Sequence, residues 1–196
     1  MITKIFVDMD DVLNYFTMSA LRYIGCDVEP WNYGAYNPVW GWNILHASQE
    51  LKCGKSFRDY DDFWGRFPRS FWASVPVSNM CYPLLELCDK YVGHDNVAIL
   101  TRPTNFANCY AGKFDWIERH IPDRIKNCFI GGSKHLCANH ESLLIDDNEE
   151  NVNLFCNNGG HTILVPRPWN RNYIHFDSFG EVKKCLSYYV FKKGNQ

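Results

Sequence analysis

Short, uninterrupted apolar runs restrict this chain more than any other feature: Ile5-Phe6-Val7, Val97-Ala98-Ile99-Leu100, Leu143-Leu144-Ile145 and Ile163-Leu164-Val165. Each is too short for a buried helix, rich in β-branched residues and free of internal Gly or Pro, so each reads as a strand covered on both faces. Asn127-Cys128-Phe129-Ile130 reads as a shorter strand. Helical spacing recurs between them, over Asn14 to Tyr23, Cys81 to Tyr91, Phe106 to His120 and Phe179 to Phe191. The order predicts an α/β fold: a Rossmann-like three-layer core with a central parallel sheet, and a small helical cap inserted after the first strand. In open sheets of that kind ligands sit beyond the carboxyl ends of the strands, so those ends are where chemistry is sought.

The first strand runs directly into Asp8, Asp10 and Asp11. Carboxylates this close repel unless a cation lies among them, and a divalent metal is the expected remedy. In extended chain Asp8 and Asp10 point the same way and Asp11 the other, so the first two are the expected metal-facing pair. A solvated acidic turn is the competing reading. A second strand ends in Asp146-Asp147, which supports the metal reading, whereas Glu149 and Glu150 read as first-turn residues complementing a helix dipole. The strand ending at Thr101 leads into Arg102-Pro103-Thr104, a turn suited to a phosphate, with Thr104 placed to cap the next helix. Lys134 follows Gly131-Gly132-Ser133, which has neither the Walker nor the dinucleotide glycine spacing, so the lysine matters more than the glycines.

Aromatic residues, 16% of the chain, crowd between Cys26 and Val75, among them Trp31, Tyr33, Trp40, Trp42, Tyr60, Trp64, Phe71 and Trp72. Short helices are expected there over Asn43 to Leu51 and Tyr60 to Phe67. With 196 residues the chain accommodates one core, 1–16 and 76–196, and a cap, 17–75. Most of these aromatics read as the core of the cap, with a few facing the acidic loop as a platform for a flat ring. A net charge of -2 and a pI near 6.4 argue against a duplex nucleic acid partner. No apolar run reaches the roughly 18 residues of a membrane span. Nine cysteines, an odd number without a signal peptide, read as reduced thiols in the cytoplasm. Cys128, His135, Cys137 and His140 lack paired zinc spacing.

Asp8-x-Asp10-x-Val12, the strand-ending Thr101, then Lys134, then Asp146-Asp147 resembles the ordered motifs of the haloacid dehalogenase (HAD) superfamily. Within it, Val7-Asp8-Met9-Asp10-x-Val12-Leu13-x-x-Phe16, Lys113-x-x-Trp116-Ile117, Leu144-Ile145-Asp146-Asp147 and Pro168-Trp169-Asn170 are most similar to bacterial and phage members of the 5'(3')-deoxyribonucleotidase family. Asp11 stands where that family usually has Gly, and no arginine adjoins Lys134, for which Arg102 is the expected partial replacement. The resemblance implies a magnesium-dependent phosphomonoesterase acting on nucleoside monophosphates. Asp8 would be the nucleophile and Asp10 the general acid and base, with Mg2+ held by Asp8, the Asp10 carbonyl and Asp146 or Asp147. Thr101, Arg102, Lys113 and Lys134 would bind phosphate, and Phe16 would face the base. The expected partner is a small-molecule nucleotide, with homodimerisation left open. A sugar-phosphate phosphatase and a non-catalytic nucleotide-binding protein are the alternatives.

Overall fold

The computed structural model describes residues 1–29, 36–51, 56–173 and 177–191. Its five strands, β1 (Lys4–Val7), β2 (Val97–Thr101), β3 (Cys128–Ile130), β4 (Ser142–Asp146) and β5 (His161–Leu164), form one parallel sheet in the order β3-β2-β1-β4-β5. The acidic first strand is therefore central, with Val7 in register with Ile99 on one side and Ile145 on the other. The carboxyl ends of β1, β2 and β4 converge at the point where chain order reverses, the usual ligand position of such sheets.

Side-chain alternation divides the apolar interior into two layers, one on each face of the sheet. Ile5, Val7, Ile99, Leu143 and Ile145 join the main core, whereas Phe6, Leu100 and Leu144 form a smaller cluster. The helices are α1 (Phe16–Tyr23), α2 (Ile44–Glu50), α3 (Tyr60–Trp64), α4 (Arg69–Ala73), α5 (Cys81–Val92), α6 (Ala107–His120), α7 (Glu149–Asn157) and α8 (Ser178–Phe191). Leu84 and Cys88 of α5, Trp116 and Ile117 of α6, and Val182 and Leu186 of α8 fill the larger layer. Phe155 of α7 closes the smaller one. Continuous apolar strands are required because both faces of the sheet are covered.

Between β1 and α5 the described chain contains helices and turns, with one isolated bridge from Asn14 to Val77. Helix α3 stops at Trp64, earlier than the aromatic spacing suggests, because Gly65 follows and Pro68 begins the next helix. Helix α4 carries Phe71 and Trp72 and was not evident from the sequence, five residues being too few to show a period. It lies close against α6. A Cβ on Gly112 would come within 2.4 Å of Trp72 Cβ and 2.6 Å of the Arg69 carbonyl oxygen, and Arg69 makes a two-pronged bond to Asp115, both contacts 2.6 Å. Trp116 Nε1 adds a 2.7 Å bond to the Val75 carbonyl.

Two expectations require correction. Thr104 does not cap α6, which begins three residues later behind Phe106; its hydroxyl is buried without a protein partner, while its N–H reaches Cys109 Sγ at 3.4 Å. The cysteines are not uniformly free: seven described ones are, but Cys26 is disulfide-bonded. Trp31 and Tyr33 lie outside the described residues. No helix among the described residues is long and apolar enough to cross a membrane.

Candidate functional site

Past β1 the chain turns sharply. The Asp8 N–H prolongs the ladder by donating to the Ile145 carbonyl at 2.9 Å, after which the N–H groups of Leu13 and Asn14 both return to the Met9 carbonyl. The turn needs a left-handed residue, and Asp11 supplies it with φ 57°. Glycine enters that region freely, and among other residues Asp and Asn enter it most readily, at a cost of roughly 1 kcal/mol. This accounts for the tolerance of Asp at this left-handed position. The Asp11 carboxylate is also engaged: it accepts from the Thr17 N–H at 2.9 and 3.1 Å and from the Thr17 hydroxyl at 2.5 Å. Its carbonyl accepts from Arg167 Nε at 2.5 Å. Burial, reinforced by Asp10, outweighs the Thr17 bonds and lifts the Asp11 carboxyl to about 7.

Asp8, Asp146 and Asp147 each place a carboxylate oxygen within 4.8 Å of the others, and all three are buried. They are the one such grouping among the described residues, and Cys128, His135, Cys137 and His140 form none. Lys134, from the turn after β3, offers its ammonium to Asp8 Oδ1 at 2.6 Å and Asp146 Oδ2 at 2.7 Å. Asp146 also accepts from the Asn148 N–H at 2.8 Å and from Asn151 Nδ2. Trp169 Nε1 donates to Asp147 Oδ2 at 2.7 Å, and Asn170 Nδ2 holds the Asp147 carbonyl at 2.8 Å. One ammonium thus touches a group of three acids. Burial, then the neighbouring carboxylates, push Asp147 well above the usual carboxylate range; burial also raises Asp146, against the pull of Lys134. A compact all-oxygen donor set with unbalanced negative charge fits a hard divalent cation.

Asp10 does not share this site through its side chain. Its carboxylate faces the other way, to Lys113 Nζ at 2.5 Å and Asn14 Nδ2 at 3.3 Å, and Lys113 continues to Thr101 Oγ1 at 2.7 Å. The alternation that would align Asp8 with Asp10 holds only in extended chain, and the chain leaves the sheet at Val7. Lys113 is buried; although burial opposes its charge, Asp10 keeps its pKa above the ordinary lysine value. The two lysines therefore serve different carboxylates, Lys134 that of Asp8 and Lys113 that of Asp10.

A cavity of about 350 Å³ opens over these groups. Asp8, Asp10, Thr101, Lys134 and Asp147 line it, with exposed Arg102 also on its wall. Lys113 is not among the lining residues; it stands behind Asp10. Phe16, Tyr60, Trp64 and Trp72 supply an aromatic wall, in which Phe16 stacks on Trp72 at 5.1 Å and on Trp64 at 5.9 Å. Phe16 is only 8% exposed, so one ring belongs both to the cap interior and to the cavity wall.

No family model matches the chain, and no curated protein matches it. Among solved structures it is similar to a HAD family enzyme of Bacteroides thetaiotaomicron in complex with magnesium and inorganic phosphate, at 12% identity over 89% of this chain and 99% of that one, with a TM-score of 0.42. The magnesium complex of that enzyme is similar at 14% identity over 87% and 96%, with a TM-score of 0.41. Likeness at this level is one of general shape.

Sequence reasoning overlooked several residues that hold the acids in place. Trp169 and Asn170 had a signal in Pro168-Trp169-Asn170 just past β5, and they anchor Asp147. Asn151 sits one helical turn beyond Asp147 and reaches Asp146. Arg167 gave no signal: it is buried and held by the carbonyls of Asp11 and Pro166 and the Ser178 hydroxyl, and burial brings its pKa down to about 10. Residues that orient a ligating carboxylate typically affect metal affinity 10- to 100-fold. Trp169→Phe, which removes the Nε1 donor to Asp147 together with part of a buried ring that packs on Tyr36, is expected to weaken divalent-cation affinity by about 10-fold, as measured by calorimetric titration; an unchanged affinity would remove Trp169 from the site's support.

Proposed function

We propose that this protein is a magnesium-dependent phosphomonoesterase of the HAD type that hydrolyses nucleoside monophosphates, as the motif resemblance implies. The observation that carries the reading is the separation of two acids from one loop: Asp8 joins the buried acid group with Lys134, whereas Asp10 is held apart by Lys113. A nucleophile and a proton carrier need such different surroundings. The Asp8 carboxylate attacks phosphorus, the bond to the leaving oxygen breaks, and Asp10 gives that oxygen a proton. Asp10 then takes a proton from water, whose oxygen attacks the aspartyl-phosphate and releases Asp8 and inorganic phosphate. Asp8, Asp146 and Asp147 would hold magnesium, with the Asp10 carbonyl as the resemblance implies; when bound, the ion neutralises charge between carboxylate and phosphate. Lys134 and Thr101 orient phosphoryl oxygens, Arg102 assists from the wall, and Lys113 acts on the phosphate through its neighbours Thr101 and Asp10.

In this proposal residues 17–75 act as the cap and Phe16 with Trp64 and Trp72 receives the nucleobase, stacking being the natural use of an aromatic wall in a phosphate site. A second reading has support of its own. Phe16 is largely covered by other rings, as a pure packing residue would be, and that favours a sugar phosphate or another small phosphomonoester. Phosphate release should be measured across the common nucleoside monophosphates and a set of sugar phosphates, with magnesium and with a chelator. Nucleotides are expected to be the better substrates, chelation to abolish release, and Phe16→Ala to raise the nucleotide KM by roughly 10-fold. Release from sugar phosphates alone, indifferent to Phe16→Ala, would replace the nucleotide reading, and no release from any phosphomonoester would reject the enzyme.

A further inference from the structure

We propose that Asp11 is a positioning residue: from the turn that carries Asp8 and Asp10 it grips the peptide group joining Phe16 to Thr17, and so sets where the Phe16 ring stands relative to the reacting carboxylates. The inference rests on the phosphomonoesterase reading and deepens it. Helix α1 begins at Phe16, and the residue before it, Tyr15, makes no side-chain cap bond. The Thr17 N–H, otherwise an unpaired donor at a helix start, is taken instead by the Asp11 carboxylate six residues earlier, at 2.9 and 3.1 Å. That nitrogen belongs to the peptide unit whose carbonyl is that of Phe16. The Thr17 hydroxyl adds a second hold at 2.5 Å.

The other end of Asp11 is fixed as firmly. Its left-handed backbone, φ 57°, aims the side chain back toward α1, and its carbonyl is held by buried Arg167. Asn14 Oδ1 accepts from its N–H at 3.2 Å, and the same side chain donates to Asp10 Oδ1 at 3.3 Å. A short, fully bonded path thus connects the Asp10 carboxylate, Asp11, the first turn of α1 and the ring stacked between cavity and cap. Glycine in place of Asp11 would satisfy the turn but leave the Thr17 N–H and hydroxyl without this partner, so the aspartate adds a fixed spacing between loop and ring.

Asp11→Gly and Asp11→Asn separate this role from a structural one. The glycine variant suits the backbone but lacks the carboxylate; the asparagine variant keeps the left-handed tendency and one acceptor oxygen. Two substrates are compared, a nucleoside monophosphate, which needs the ring, and acetyl phosphate, which has none. Asp11→Gly is expected to raise the nucleotide KM about 10-fold while acetyl phosphate turnover stays within about 3-fold, and Asp11→Asn to restore most of the loss. Hydrogen exchange at the Thr17 amide should quicken at least 10-fold in the glycine variant alone. An equal loss on both substrates, or a nucleotide KM unmoved by Asp11→Gly, would overturn the inference, as would unaltered Thr17 exchange. If the wild-type protein hydrolyses no nucleotide, the functional reading fails by itself, and amide exchange decides whether Asp11 anchors α1.

Discussion

Asp8→Asn is expected to lower phosphate release by about 10⁴-fold or more, because no other carboxylate of the acid group is placed by the same loop to attack phosphorus. The substitution is nearly isosteric, so the fold should survive it. Stability of the metal-free protein should in fact rise. The Asp8 charge raises the proton affinity of buried Asp146 and Asp147, so deleting it relieves both, while Lys134 keeps Asp146 as its partner at 2.7 Å. Release of phosphate, followed with and without magnesium, together with a thermal melt in chelator, tests both halves. A variant retaining a tenth of wild-type activity would remove Asp8 as nucleophile, and a lower melting temperature in chelator would contradict the charge argument.

Lys134→Met should have the largest effect on stability. The lysine is 4% exposed and is the ammonium in contact with Asp8 and Asp146. Removing one partner of a buried charge group leaves the other uncompensated, typically at a cost of about 3–5 kcal/mol. The sign of the pH dependence follows from the raised carboxyls. Asp146 and Asp147 bind protons more readily folded than unfolded, so protonation favours the folded state and the deficit of the variant should shrink as pH falls. Magnesium should recover part of the deficit at neutral pH by replacing the missing positive charge. Urea unfolding at neutral and acidic pH, with and without the ion, measures this; a deficit independent of both would show that Lys134 acts through packing alone.

What could be read from the residues beforehand followed the range of the interactions involved. The strands were legible because each is a continuous apolar run, and the positions of Asp8, Thr101, Asp146 and Asp147 at their ends followed from that. The order of strands and helices was legible for the same reason. Local rules failed where a neighbour distant in sequence decides. Asp8 and Asp10 diverge because Lys134 and Lys113, from separate segments, each draw one of them. Asp11 looked like an anomaly, since nothing within the motif reveals that the turn is left-handed or that Thr17 waits for its carboxylate. Arg167, whose partners include a loop carbonyl 156 positions earlier, leaves no periodic trace. Thr104 had the right residue type for a cap, yet α6 starts too far beyond it.

Gly112 gives the contact between α4 and α6 a mechanical meaning. It precedes Lys113, the partner of Asp10, and faces the Cβ of Trp72, a ring of the cavity wall. A single missing methyl therefore works as a shim between the two halves of the cleft. Lys113 Nζ lies 5.9 Å from the Trp72 ring centroid, and even an alanine at position 112 would have to wedge that ring outward. The approach of α4 to α6 is gauged by an atom the chain leaves out, and any side chain at position 112 would have to move α4 and, with it, the Trp72 ring of the cavity wall.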